Sequence, residues 1–403
     1  MTDRRGQSAA VVFHTSLIGG PVRSLGDEIR WLSDRGSVQV VVPAGEALDP
    51  VYSQLGGELV ALPYSAFSSP AKAAPDRGIL RRFTTETRMF RAWLRSSRPD
   101  FVLAVTTVLP ALVLAARLEG VPVVLYAAEI PPREQRLGES RARAWLRRLV
   151  NEALIRMESK SARAVLVCSP GVAPMVADPG GAIIHYPPID PDECRGDGDA
   201  FREEIGISGG SPLIVCIGSI SRGRGQDVLI STLPYLLGKH PGLKLLINGA
   251  PFPREQDVEY SAELDRQIAE LGLENSVIRR ERTDPLGPLL SAADVVVNPA
   301  TTYNEGFGRV AFEAGLAGTP MVASARGVLP DLHDDGETIL LVPPSDQEAL
   351  ARAIERLLSE PDLSERIAGG AARLAAKLAS PEASLEVFKE AVSAVVSSPA
   401  SRT

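Results

Sequence analysis

A repeated rhythm of short apolar runs and longer helical stretches constrains this chain more than any other feature. In the first half the runs are Ala9–His14, Val38–Val42, Glu58–Leu62, Phe101–Val105, Val121–Tyr126, Ala164–Cys168 and Ala182–His185. In the second half they are Leu213–Gly218, Leu243–Asn248, Ser276–Arg279, Asp294–Asn298, Pro320–Ser324 and Thr338–Val342. Most are nearly continuous in apolar residues, not alternating. Strands of that kind need cover on both faces, as in a parallel sheet flanked by helices. The intervening stretches read as helices: Val22–Arg35, Ile79–Arg95, Leu109–Leu118 and Glu139–Lys160, then Gln226–Leu237, Tyr260–Leu271, Pro285–Ala292, Arg309–Ala317 and Gln347–Leu358. The tail from Asp362 to Val396 is helical and broken near Ser380–Pro381.

Between the two series lies Tyr186–Ala200, rich in Pro, Gly and Asp, which reads as a linker. The 403 residues exceed one ordinary domain. Two doubly wound α/β domains follow, one over about 1–190 and one over about 195–380, facing a central cleft.

Composition removes several alternatives. Apolar residues at 44% and charged residues at 23% exclude a disordered chain or a disulfide-stapled scaffold. The net charge of −7 argues against general nucleic-acid binding. That charge is unevenly spread: residues 1–194 hold 23 basic and 20 acidic groups (+3), and the rest hold 20 and 30 (−10). Arginine is dense over Asp76–Arg98 and again over Arg133–Arg163. Cys168, Cys194 and Cys216 show no close pairing, which suggests a reducing compartment, the cytoplasm. Neither a secretory signal nor a membrane-spanning run is expected from the sequence.

Three loops carry chemistry, each just beyond a predicted strand, where open α/β sheets bind ligands. The strongest is Asn304–Glu313, which reads NEGFGRVAFE. Gly306 and Gly308 let backbone approach a ligand, and a helix starting near Gly308 offers free amides to an anion. Glu305 stands just before that helix and Glu313 inside it, about 7–8 Å along its axis. That spacing suits a sugar nucleotide, with the diphosphate on the amides and hydroxyls on the two carboxylates. The second loop, Gly218–Asp227, contains Ser219, Arg222 and Arg224. The third, His14–Val22, contains Gly19 and Gly20.

Glu305 and Glu313 with seven residues between them, Gly306-Phe307-Gly308 after the first, and Ala317-Gly318 soon after the second resemble the retaining nucleotide-sugar glycosyltransferases of family 4. Ala292-Ala293-Asp294, Asn298-Pro299, Pro320–Ser324, Asp335-Gly336 and Val342-Pro343-Pro344 extend the likeness. It implies the GT-B fold, two Rossmann-like domains, with the donor bound mainly by the second and the segment of about 381–403 returning to the first. It assigns Glu305 to donor-sugar hydroxyls and Glu313 to the ribose. The backbone of Gly306, Phe307 and Gly308 goes to sugar and phosphate, and Gly19 and Gly20 to the donor phosphate. Arg224 stands where the family has lysine and keeps its charge.

Two departures accompany this likeness. Ser219 replaces a family arginine, and Arg222 is a candidate to restore that charge. Ala128 stands where the family often has histidine, leaving Glu129 as a candidate partner of the acceptor hydroxyl. The expected partners are a nucleotide sugar and a hydroxyl acceptor, anionic or lipid-linked, with no cofactor and no metal. The basic helix 139–160 is a candidate for peripheral membrane contact. A sugar-nucleotide epimerase of the same fold, or a non-catalytic nucleotide-sugar-binding protein, remains the alternative. Asp190, Asp192, Asp197 and Asp199 read as linker turn residues, not metal ligands.

Overall fold

The computed structural model describes residues 7–16, 20–45, 48–66, 78–128, 130, 140–207, 210–252, 254–281 and 285–397. The chain divides into two compact units, Met1–Pro188 with Pro381–Thr403, and Ile189–Ser380.

The first unit contains β1 (Gln7–Phe13), β2 (Gly36–Pro43), β3 (Glu58–Leu62), β4 (Phe101–Val105), β5 (Val123–Ala127), β6 (Ala164–Val167) and β7 (Ile183–Ile184). They form one parallel sheet in the order β3-β2-β1-β4-β5-β6-β7. The second unit contains β8 (Leu213–Ile217), β9 (Lys244–Asn248), β10 (Val277–Arg280), β11 (Val295–Asn298), β12 (Met321–Ser324) and β13 (Leu340–Val342). Its sheet is also parallel, in the order β10-β9-β8-β11-β12-β13.

The continuous apolar runs are explained by how the strands feed two cores. In β8, Ile214 and Cys216 enter one cluster, with Leu229, Leu233 and Ile354. Leu213 and Val215 enter the other, with Leu289, Leu290 and Ala314. Successive side chains point to opposite faces, so a sheet covered on both sides leaves no polar position in a central strand.

The helix Pro381–Ser397 packs within the first unit. Phe388 meets Trp31 and His185 edge-on, and Ser384 Oγ donates to the Tyr186 carbonyl at 2.7 Å. His185 is fully buried with Glu28, Nε2 to Oε1 3.0 Å. Part of the expected linker is helical: Gly198–Glu204 forms a short helix capped by Asp197, whose carboxylate accepts from Ala200 N at 2.9 Å. The Asp residues that signal a turn there also start this helix.

The helix Arg141–Ser161 leaves much of its apolar surface uncovered. Ala144, Ile155, Glu158 and Ser159 are its buried residues. Trp145, Leu146, Leu149 and Val150 lie 64%, 53%, 49% and 40% exposed. Periodicity identifies an apolar stripe but not what covers it. Among the described residues, no helix is long and apolar enough to cross a membrane.

Glu158 is fully buried, beside the Leu109 backbone that opens the helix Pro110–Glu119. Burial pushes its pKa up to about 8, against a weaker opposing pull from that backbone. The folded chain therefore keeps a proton that the unfolded chain loses above about 4.5. Stability should fall by up to about 1.4 kcal/mol per pH unit as pH rises from about 5 to about 8. Denaturant titrations should show that slope in the parent and its loss in Glu158→Gln. Equal slopes would place the titration elsewhere.

Candidate active site

The site builds from the carboxyl ends of β8 and β11. After β8, the chain turns through Gly218 to Arg224 and enters the helix Gln226–Lys239. After β11, it passes Pro299–Asn304 to Glu305, then Gly308, and enters the helix Arg309–Ala317. The two loops are joined at one carbonyl: Thr301, Thr302 and Tyr303 donate their amides to Gly223 O at 2.9, 3.1 and 2.9 Å.

That junction places opposite charges together. Arg224 Nη1 donates to Glu305 Oε1 at 3.2 Å. The same carboxylate oxygen accepts from Asn298 Nδ2 at 3.2 Å. The side chains of Arg224 and Glu305 are 19% and 16% exposed, so solvent screens this pair less than one on the open surface. Burial works against the Arg224 charge, but Tyr303 and Glu305 outweigh it and hold its pKa above the usual guanidinium value. The Arg224 Cζ lies 3.9 Å from the centroid of the Tyr303 ring.

Glycines permit the close approaches. Gly308 starts the helix at φ 79°, a conformation that disfavours other residues. Gly327 has φ 60°, and a Cβ there would lie 2.4 Å from the Glu305 backbone N and O. Val328 N donates to Glu305 O at 3.1 Å. The segment after β12 therefore presses directly on the Glu305 main chain.

Glu313 is 5% exposed and accepts from Arg309 Nε at 3.1 Å. Burial, followed by the nearby Glu313 carboxylate, pushes the Cys194 thiol up to about 12. The Phe307 side chain is buried and stacked on Phe312 at 4.5 Å, so the ring is not presented to a ligand. Phe312 in turn contacts His333, whose pKa burial lowers to about 4.

The structure thus brings Arg224 to Glu305 and seats Glu313 one helix turn from Arg309. Ser219 lies in the first of the two loops, where its carbonyl accepts from Gln226 Nε2 at 3.0 Å. Arg222 is not brought to Glu305. It pairs with Glu263 and lies over the Tyr260 ring at 5.0 Å, with its side chain 54% exposed. Gly20 begins a four-residue helix, Gly20–Arg23, in the first unit. Gly19 and Glu129 lie outside the described residues. Among the described residues, no group of three or more His, Cys, Asp or Glu is arranged to hold a metal ion.

Two family models together match most of the chain. The one described as "Glycosyl transferase 4-like domain" matches residues 19–180, and "Glycosyl transferases group 1" matches residues 197–373. The chain belongs to this glycosyltransferase family. Its two parallel-sheet units are those of the GT-B fold. Anabaena Alr3699/HepE, solved with UDP and glucose, has TM-score 0.77 at 20% identity, covering 96% of this chain and 99% of that one. WaaG, a glycosyltransferase involved in lipopolysaccharide biosynthesis, has TM-score 0.70 at 18% identity, covering 97% and 100%.

Two curated relatives are similar over shorter spans. A GDP-mannose-dependent alpha-(1-6)-phosphatidylinositol monomannoside mannosyltransferase of Mycolicibacterium smegmatis is 32% identical over 233 residues, 55% of this chain and 57% of that one. A D-inositol 3-phosphate glycosyltransferase of Saccharomonospora viridis is 29% identical over 276 residues, 65% and 60%. The chain spans less than two thirds of the length of either relative.

Sequence reasoning missed three contributors: Asn298, Tyr303 and Gly327. Asn298 left a signal, a polar residue ending an otherwise apolar strand. Tyr303 and Gly327 left none, because their roles depend on contacts made across separate loops. The Arg309–Glu313 pair was readable as an i, i+4 spacing.

Proposed function

We propose that this chain transfers a sugar from a nucleotide-diphosphate sugar to an acceptor hydroxyl, retaining anomeric configuration and using no metal. The observation that carries the reading is the Arg224–Glu305–Asn298 cluster at the carboxyl edge of the second sheet, just ahead of a helix. A guanidinium there suits a diphosphate leaving group, and a carboxylate suits sugar hydroxyls. Without ligand the two neutralise each other. The donor exchanges that internal pair for phosphate oxygens on Arg224 and hydroxyls on Glu305, so neither charge is left buried alone.

Glu313 takes the ribose, and the Gly306–Gly308 backbone lies along sugar and phosphate. Ser219 belongs to the donor-phosphate surroundings, and Glu129 to the acceptor hydroxyl. In the transfer step, the acceptor oxygen bonds to the anomeric carbon as that carbon's bond to the phosphate oxygen breaks. The acceptor proton passes to the departing phosphate oxygen on the same face, so retention needs no protein base.

The first unit takes the acceptor, whose class is anionic. The +5 charge of that unit, 25 basic against 20 acidic groups over residues 1–188 and 381–403, supports this. So do the names of the two relatives, a phosphatidylinositol derivative and an inositol phosphate. A lipid-linked acceptor is supported by the helix Arg141–Ser161, which exposes Trp145, Leu146, Leu149 and Val150 and holds five arginines. Apolar side chains beside cations suit the surface of an anionic membrane, and catalysis then takes place in the cytoplasm at the membrane's inner face.

Transfer or donor hydrolysis should be assayed with UDP-glucose and GDP-mannose in the presence of EDTA. Glu305→Ala and Arg224→Ala should each lower turnover by about 100-fold or more while staying folded at the assay temperature by circular dichroism, although each unfolds below the parent because its partner's charge is left unpaired. Parental turnover in either variant would remove that residue from the mechanism, and loss of activity in EDTA would contradict the metal-free reading. Flotation with phosphatidylglycerol vesicles should capture the parent at low salt and release it as salt rises. Trp145→Ser combined with Leu149→Ser should abolish capture. Binding indifferent to salt or to these changes would overturn the membrane contact.

A further inference from the structure

Arg224 carries the positive charge at a loop where Arg222 is turned away to Glu263 and Tyr260. Its placement therefore matters more than its presence. A guanidinium on a long side chain has many rotamers, and fixing one costs entropy on binding. An ion pair restrains it by occupying one of its N–H groups. An aromatic ring restrains it through its face and occupies none.

Tyr303 supplies such a ring. Its centroid lies 3.9 Å from Arg224 Cζ. Its own amide is tied to Gly223 O at 2.9 Å, the carbonyl just before Arg224 in the chain. Ring and guanidinium thus come from two loops joined at the next residue. On the other side, Gly218 allows close approach: a Cβ there would stand 3.2 Å from Arg224 Nη1. Arg224 Nε is buried and makes no hydrogen bond, and Nη1 donates to Glu305.

We propose that Tyr303 is a positioning residue for donor binding: its ring holds the Arg224 guanidinium by the face and leaves edge N–H groups for the donor diphosphate. This rests on the reading of the second unit as the donor site. Tyr303 does not react and is 39% exposed, so removing it should disturb the fold little. The ring acts, not the hydroxyl, so phenylalanine should serve in its place.

The test is calorimetric binding of UDP, GDP, UDP-glucose and GDP-mannose to the full chain, with thermal unfolding as the check on folding. Tyr303→Ala should weaken the nucleotide that binds by about tenfold, the scale of one guanidinium–ring contact. Tyr303→Phe should stay within about twofold. In an Arg224→Ala background, Tyr303→Ala should cost nothing further, because the ring works through Arg224. Parental affinity in Tyr303→Ala would overturn this proposal and leave the donor site standing. An additive loss in the double variant, or failure of phenylalanine to rescue, would also overturn it. A parent chain that binds none of the four would overturn the donor site and the proposal together.

Discussion

The meeting of Arg224 and Glu305 organises the second unit. Each side chain alone would be a poorly hydrated charge at the end of a sheet, at a cost of several kcal/mol. Together they offset much of that cost, and the neighbours add to it. Asn298 donates to the same carboxylate oxygen, and the Tyr303 ring lies beside the guanidinium. The pairing in turn requires the 218–226 and 299–305 loops to touch. Three amides on the Gly223 carbonyl make that contact, and Gly327 lets a third loop press on Glu305. Such a pair stores charge without exposing it, and the proposed donor would bring a diphosphate and hydroxyls to exchange for it.

The sheet explains why these loops converge. With all strands parallel, every strand in a unit ends on the same edge, so loops distant in sequence become neighbours. β8 and β11 are adjacent in the sheet although 77 residues separate Ile217 at the end of one from Val295 at the start of the other. Their apolar residues are committed to two cores, one on each face. Polar chemistry is therefore pushed to the strand ends, where Asn298 closes β11 and Gly218 follows β8.

Much of this was legible in the sequence, for physical reasons. Runs such as Val295–Asn298 read as strands buried on both faces, because a short unbroken run of β-branched side chains between turn residues suits a strand better than a helix. Glu305 and Glu313 stood out as acids in a glycine-rich and apolar setting. Local patterns failed wherever the deciding partner was distant. The Asp197 cap read equally well as a turn. The apolar stripe of Arg141–Ser161 was visible, but its exposure depends on which neighbours it has. Arg222 and Arg224 are two residues apart and chemically identical. The resemblance singled out Arg224, and the positions of Glu263 and Glu305 give the two different partners.

The account's central claim is that the second unit binds a nucleotide-diphosphate sugar through Arg224 and Glu305. The most direct measurement is a crystal structure of the chain soaked with UDP-glucose or GDP-mannose. The account predicts diphosphate oxygens within hydrogen-bond distance of the Arg224 guanidinium and sugar hydroxyls on the Glu305 carboxylate, with the internal ion pair opened. A nucleotide sugar bound elsewhere, with Arg224 and Glu305 still paired, would contradict it.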